Sequence, residues 1–345
     1  MQLKKTLIIA LTLSIVGIIA WESYWRSQGY YPNLDDNKDL WAVQRAKVDK
    51  ASKNNVLLLG SSRVLFDLQL NEWEKKTGMR PIQLASAGAS PLPIFNDIVE
   101  NTDYSGTIIV GVTPGLFFST TFPMADPWKR AQSRIDHYFK RTYAQRLNHI
   151  LSIPLQQNLV LMSTSEEEWS DNIDLKTLLR NIKIGNRTPE GMPPFYQFDN
   201  ISLERNTEMT QKTVNDTAFA NSIIKVWNFF GRKAPPPDKE STTKYFLKDA
   251  KKFLARDGNL IVVRLPSSGG NRMAENKFLS REKFWDSLVG LLPTVKNYHF
   301  EDYEQLKHLT CPEESHLSKE DAEYFTSELA KIMIEDKAIT NQKIN

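Results

Sequence analysis

The sequence predicts an α/β fold: a doubly wound, mainly parallel sheet carrying a helical insertion and an N-terminal transmembrane helix. Three observations predict it. Short apolar runs rich in β-branched residues stand at Val56–Leu59, 81–85, 107–112 and 259–265, each closing on Gly, Ser, Thr or Pro, as strands buried on both faces do. Stretches with helical spacing separate these runs. The chain opens on a long apolar segment behind two lysines.

That segment comes first. Lys4-Lys5 precede an apolar run over 6–20, and Trp21 follows it. A bilayer span needs ~20 apolar residues and a signal-peptide core about 7–15, so length alone is ambiguous. The exit side, Trp21-Glu22-Ser23-Tyr24-Trp25-Arg26, is bulky or charged where a cleavage site needs small residues. The reading is an uncleaved anchor over residues 1–28. It makes a single pass through the inner (cytoplasmic) membrane, with the lysines cytoplasmic and everything after Trp25 on the periplasmic, extracytoplasmic side.

Beyond the anchor, helices are expected at 68–77, 94–101, 241–256, where Asp257-Gly258 acts as a stop, and 318–335. In the last of these, Ala322, Phe325, Leu329 and Ile332 recur at spacings of three and four, and Ser318 with Asp321 forms a variant capping box. These elements assign 29–119 and 245–337 to the α/β domain. Residues 120–244 break the alternation and read as a mostly helical insertion, with helices at 128–148 and 209–230. Proline-marked stretches, Gly191-Met192-Pro193-Pro194 and Pro235-Pro236-Pro237, lie within it, the second as a stiff return. Residues 338–345 read as a polar tail.

Composition excludes several classes. The chain of 345 residues is 41% hydrophobic, enough for a proper core in one large or two ordinary domains. Its 44 basic and 41 acidic residues are well mixed, leaving a net charge of +3 and no broad electrostatic case for nucleic acid. Cys311 is the only cysteine, so neither an internal disulfide nor a multi-cysteine metal site is available. Glu166-Glu167-Glu168 has no histidine near it and reads as a solvated helix face rather than a metal site.

The chemistry-bearing residues gather after the strands, where open α/β sheets place their ligands. Ser62, in Gly60-Ser61-Ser62-Arg63 just after the first strand, is a candidate nucleophile; serines there also serve as helix caps. Gly88, in Gln83-Leu84-Ala85-Ser86-Ala87-Gly88-Ala89-Ser90, is placed to offer its N–H to a substrate oxygen or to form a plain tight turn. Thr113, after the third strand, would offer a hydroxyl to the same point. His316 stands in Cys311-Pro312-Glu313-Glu314-Ser315-His316, a loop before the last helix from which an imidazole can reach the sheet edge. A glutamate three residues earlier can bend back to the other ring nitrogen. The sequence leaves Glu313 and Glu314 both open for that role. His137, His149, His299 and His308 have no recognisable catalytic context.

In this order, a Ser turn, a Gly loop, a third-strand loop and an acid-x-x-His before the last helix, the chain resembles the SGNH (GDSL-like) hydrolases. Ser62 falls in the nucleophile block, Gly88 in the glycine block, and Glu313 with His316 in the last block. The resemblance covers about residues 50–118 and 246–335. Gly60-Ser61-Ser62-Arg63, Val263-Arg264-Leu265-Pro266-Ser267-Ser268-Gly269 and Pro312-Glu313-Glu314-Ser315-His316-Leu317-Ser318 are similar to membrane-anchored bacterial envelope members. That group includes relatives of alginate O-acetyltransferases and of the D-alanyl transfer protein of teichoic acids. Three positions depart from the pattern: Ser61 replaces an aspartate, Thr113 an asparagine that donates to the oxyanion, and Glu313 the usual aspartate.

The resemblance implies an SGNH- or flavodoxin-like sheet and a membrane-anchored serine O-acyltransferase or esterase acting on an envelope or exported polysaccharide. Ser62, His316 and Glu313 would be catalytic, and Ser62, Gly88 and Thr113 would form the oxyanion hole. Arg63 and Arg264, at strand ends, would clamp an anionic sugar or pair with local acids. The insertion would shape the glycan cleft and bind a membrane-bound O-acyltransferase partner. No metal or cofactor is required by such a site. Two other readings stay open: an inactive scaffold in a polysaccharide modification or export complex, and a small-ester lipase or thioesterase.

Overall fold

The structure, a computed structural model, describes residues 2–121, 124–162 and 193–341. The alternation of apolar strands and helices builds β1 (Val56–Leu59), β2 (Ile82–Gln83) and β3 (Thr107–Gly111) before the insertion. The insertion holds an antiparallel hairpin, β4 (Asp199–Ile201) and β5 (Thr207–Met209), and the chain then returns to the sheet with β6 (Asn259–Arg264) and β7 (Lys296–His299). The main sheet is parallel in the order β2-β1-β3-β6-β7. Its winding reverses between β1 and β3, which creates a crevice at their carboxyl ends.

Side chains alternate across the strands and fill two cores. Leu57, Leu59, Ile108, Val110, Leu260 and Val262 face Phe95, Phe246 and Phe253 of the helices Leu92–Asn101 and Lys239–Ala255. Val56, Leu58, Ile109, Ile261 and Val263 face Trp73, Phe325 and Leu329 of Leu70–Thr77 and Lys319–Glu335. Each such side chain, fully buried, contributes about 1.5–3 kcal/mol. The sheet is thus covered on both faces, which is why its strands read as unbroken apolar runs.

Glycines let a helix sit directly on the carboxyl ends of β1 and β3. A Cβ on Gly60 would lie 2.2 Å from Cγ2 of Val64, and one on Gly111 would lie 2.1 Å from the same atom. Any side chain at either position would push the Ser62–Asp67 helix off the sheet.

Several expectations need correction. The fifth strand, β7, and the β4–β5 hairpin were not expected from the sequence; Lys296-Asn297-Tyr298-His299 lies at the sheet edge with its first two residues exposed, so it lacks an apolar run. The helix expected at 128–148 is two, Asp126–Lys140 and Tyr143–Gln156, because Thr142 and Gln145 form a capping box that starts the second. The helix expected at 209–230 begins in β5 and divides at Asp216, whose side chain accepts from Phe219 N and caps Thr217–Lys233. The segment read as a polar tail opens with Ala338 and Ile339, both buried, and Asn259 Nδ2 donates to Ala338 O at 2.8 Å. Glu166-Glu167-Glu168, Gly191-Met192 and 342–345 lie outside the described residues.

The N-terminal helix, Gln2–Ser27, is long and apolar enough to cross a membrane, and of its residues only Trp25 is buried. Its 26 residues span about 39 Å.

Candidate active site

The site grows from the ends of β1, β2 and β3. Ser62 is the first residue of its helix, so its N–H has no intrahelical acceptor. The β2 loop runs beside this turn, since Ser86 N donates to Gly60 O at 3.0 Å. Two residues on, Gly88 takes φ +61°, a conformation that suits glycine, and turns the loop back. Arg205, fully buried in the hairpin turn, donates to Gln83 O at 3.0 Å and Ala85 O at 2.7 Å and holds the end of β2 in place. At the end of β3, the Thr113 and Ser61 hydroxyls hydrogen-bond at 2.6 Å, tying the two central strand ends together.

His316 reaches this edge from the loop before the last helix. Its Nε2 lies 2.8 Å from Ser62 Oγ, and its Nδ1 lies 2.9 Å from Glu313 Oε1. A carboxylate only accepts, so Nδ1 carries the proton and Nε2 is left to accept from the serine hydroxyl. Glu313 Oε1 also accepts from the backbone N–H of Ser315 and His316, at 3.3 and 2.5 Å. The other carboxylate oxygen, Oε2, accepts from the indole Nε1 of Trp227. Both oxygens of this buried group are therefore held.

The imidazole is also packed. The Phe66 ring stacks on it at 4.4 Å between centroids, and Trp227 meets it edge-on at 5.8 Å. Asp67 anchors the loop behind it by accepting from Leu317 N at 3.0 Å. Burial pushes the Asp67 carboxyl well above the usual range, against the hydrogen bond from Leu317 and the charge of Arg63.

The structure brings Ser62, His316 and Glu313 into one hydrogen-bonded chain and sets the Gly88 loop and Thr113 beside it. Glu314 faces away: it takes φ +74° and accepts from Gly270 N and Asn271 N at 2.9 and 3.1 Å, capping Gly269–Phe278. Of the two roles open for Arg63 and Arg264, pairing with a local acid is the one seen, and neither is exposed to clamp a sugar. Both are buried and face Glu275, Arg63 Nη2 at 2.7 Å from Oε1 and Arg264 Nη2 at 2.5 Å from Oε2. Burial opposes ionisation of Glu275, yet the two guanidiniums outweigh it and hold the carboxyl at about 2.

Sequence reasoning missed three residues, all from the insertion. Trp227 holds the acid, Arg205 holds the β2 end, and Arg130 lies beside the Gly88 loop, with its Cζ 3.7 Å from where a Gly88 Cβ would stand. Trp227 is 86 residues from Glu313, and no local spacing signals such a pair. No protein-family model matches the chain, and no curated protein matches it in sequence.

Proposed function

We propose that this chain is a membrane-anchored, extracytoplasmic serine enzyme of the SGNH type, which moves or removes an acyl group on an envelope or exported polysaccharide. The observation that carries the reading is the hydrogen-bonded chain Ser62–His316–Glu313 at the carboxyl edge of the sheet. His316 Nε2 takes the proton from Ser62 Oγ as the oxygen attacks the acyl carbonyl. The N–H groups of Ser62 and Gly88 receive the oxyanion, and a hydroxyl bond donated by Ser61 to Thr113 would leave the Thr113 hydrogen free to join them. The imidazolium, stabilised by Glu313, then protonates the leaving alcohol. The resulting acyl-Ser62 ester is resolved by water or by a sugar hydroxyl, His316 again acting as base.

Two of the three departures from the family pattern fit together. Ser61 and Thr113, standing for an aspartate and an asparagine, are the two partners of one hydrogen bond. The Arg130 guanidinium lies beside the Gly88 turn, on the side where a Cβ at Gly88 would stand.

Intact mass after incubating the full-length protein with a fluorophosphonate tests the reading. A single adduct, absent from Ser62→Ala, is expected. No adduct on folded protein would turn the assignment to a scaffold.

A further inference from the structure

The Tyr143–Gln156 helix has its faces reversed. Residues 149, 152, 153 and 156 face the protein, and apart from Ile153 they are polar. His149 and Gln156 are buried, and Gln156 Oε1 accepts from Asp35 N at 3.1 Å. Tyr143, Leu147, Ile150, Leu151 and Leu155, at spacings of three, four and one, share the opposite face and are 45–82% exposed. A helix on a water-facing surface shows the reverse arrangement.

The place of this helix says what covers it. The three-residue turn Val160–Met162 follows it closely, and the end of the anchor docks on that turn: the Glu22 carboxylate accepts from Val160 N and Leu161 N at 2.9 and 3.0 Å, and Arg26 donates to Asn158 O at 2.9 Å. The point where the apolar N-terminal helix meets the folded body therefore lies at the carboxyl end of the reversed helix. Arg146, exposed on the same helix, adds positive charge suited to lipid phosphates.

We infer that Tyr143–Gln156 lies in the bilayer interface beside the anchor, its apolar face among the acyl chains. The inference rests on Gln2–Ser27 spanning the membrane. Two attachments, one spanning and one lying flat, remove the free rotation a single span allows and hold the body in one orientation over the lipid surface.

Full-length protein in phosphatidylethanolamine/phosphatidylglycerol vesicles tests this, with an environment-sensitive NBD label on Leu151→Cys and, for comparison, on exposed Met273→Cys; native Cys311 is buried. The expected result is that doxyl-labelled lipids quench the probe at 151, that aqueous iodide does not, and that 273 behaves the opposite way. Iodide quenching at 151 equal to that at 273 would overturn the inference by placing the face in water. Protection of 151 from both quenchers would overturn it by showing protein, not lipid, on the face.

Discussion

The indole N–H of Trp227 donates to the outer carboxylate oxygen of Glu313, and the inner oxygen of Glu313 faces His316 Nδ1. An insertion residue thereby fixes the carboxylate that faces the imidazole. Hydrogen bonds to charged groups contribute about 1.5–3 kcal/mol, so Trp227→Phe is expected to slow fluorophosphonate labelling of Ser62 about 10- to 100-fold. The pH dependence of labelling is expected to shift as well. An unchanged rate and pH profile would confine Trp227 to packing.

The adjacent acids should separate cleanly. In Glu313→Gln the single amide oxygen cannot accept from His316 Nδ1, the Ser315 and His316 N–H groups and the Trp227 indole together, so the imidazole loses its fixed tautomer or the loop and indole lose their acceptor, and the loss of labelling rate is expected on the order of 10⁴. Glu314→Gln weakens only the cap of Gly269–Phe278, at about 1 kcal/mol. Labelling rates and denaturation midpoints measured on both variants check the contrast.

Asp67 predicts a pH-dependent stability. Its folded-state carboxyl lies well above the usual value, so the folded protein keeps a proton that the unfolded chain gives up. The contribution is full below about pH 4 and is lost as pH rises from there through the folded value. Asp67→Asn keeps an acceptor for Leu317 N and removes the titration. Its urea midpoint is expected to fall less than that of the unaltered protein between pH 5 and pH 8, and parallel curves would contradict the assignment.

Glu275 neutralises two buried arginines, and its depressed value works in the other direction. Its contribution is present above the unfolded carboxyl range and is lost as pH falls towards about 2. Glu275→Gln would leave Arg63 and Arg264 facing each other in the interior, at a cost of about 3–5 kcal/mol. Denaturant titration followed by circular dichroism measures it; a loss below about 1 kcal/mol would show that the cluster is not a structural core.

What was legible in the sequence was written by local physics. A strand buried on both faces must be apolar throughout, so β1, β3 and β6 stood out with boundaries within a residue of those observed. The Glu313–His316 pair was legible because three residues of one loop suffice for a side chain to bend back, and Ser62 because a strand end followed by a Gly-Ser turn is a local event. Tertiary structure decided everything that depended on distant partners. It chose Glu313 over Glu314 through the loop's turn at φ +74°, brought Trp227 and Arg205 from the insertion to the site, and buried Arg63 and Arg264 against Glu275. The physical reason is the same in each case. Periodicity and turn residues report the environment of a single segment, whereas charge neutralisation and hydrogen-bond satisfaction inside a protein are settled by whichever segments the fold brings together.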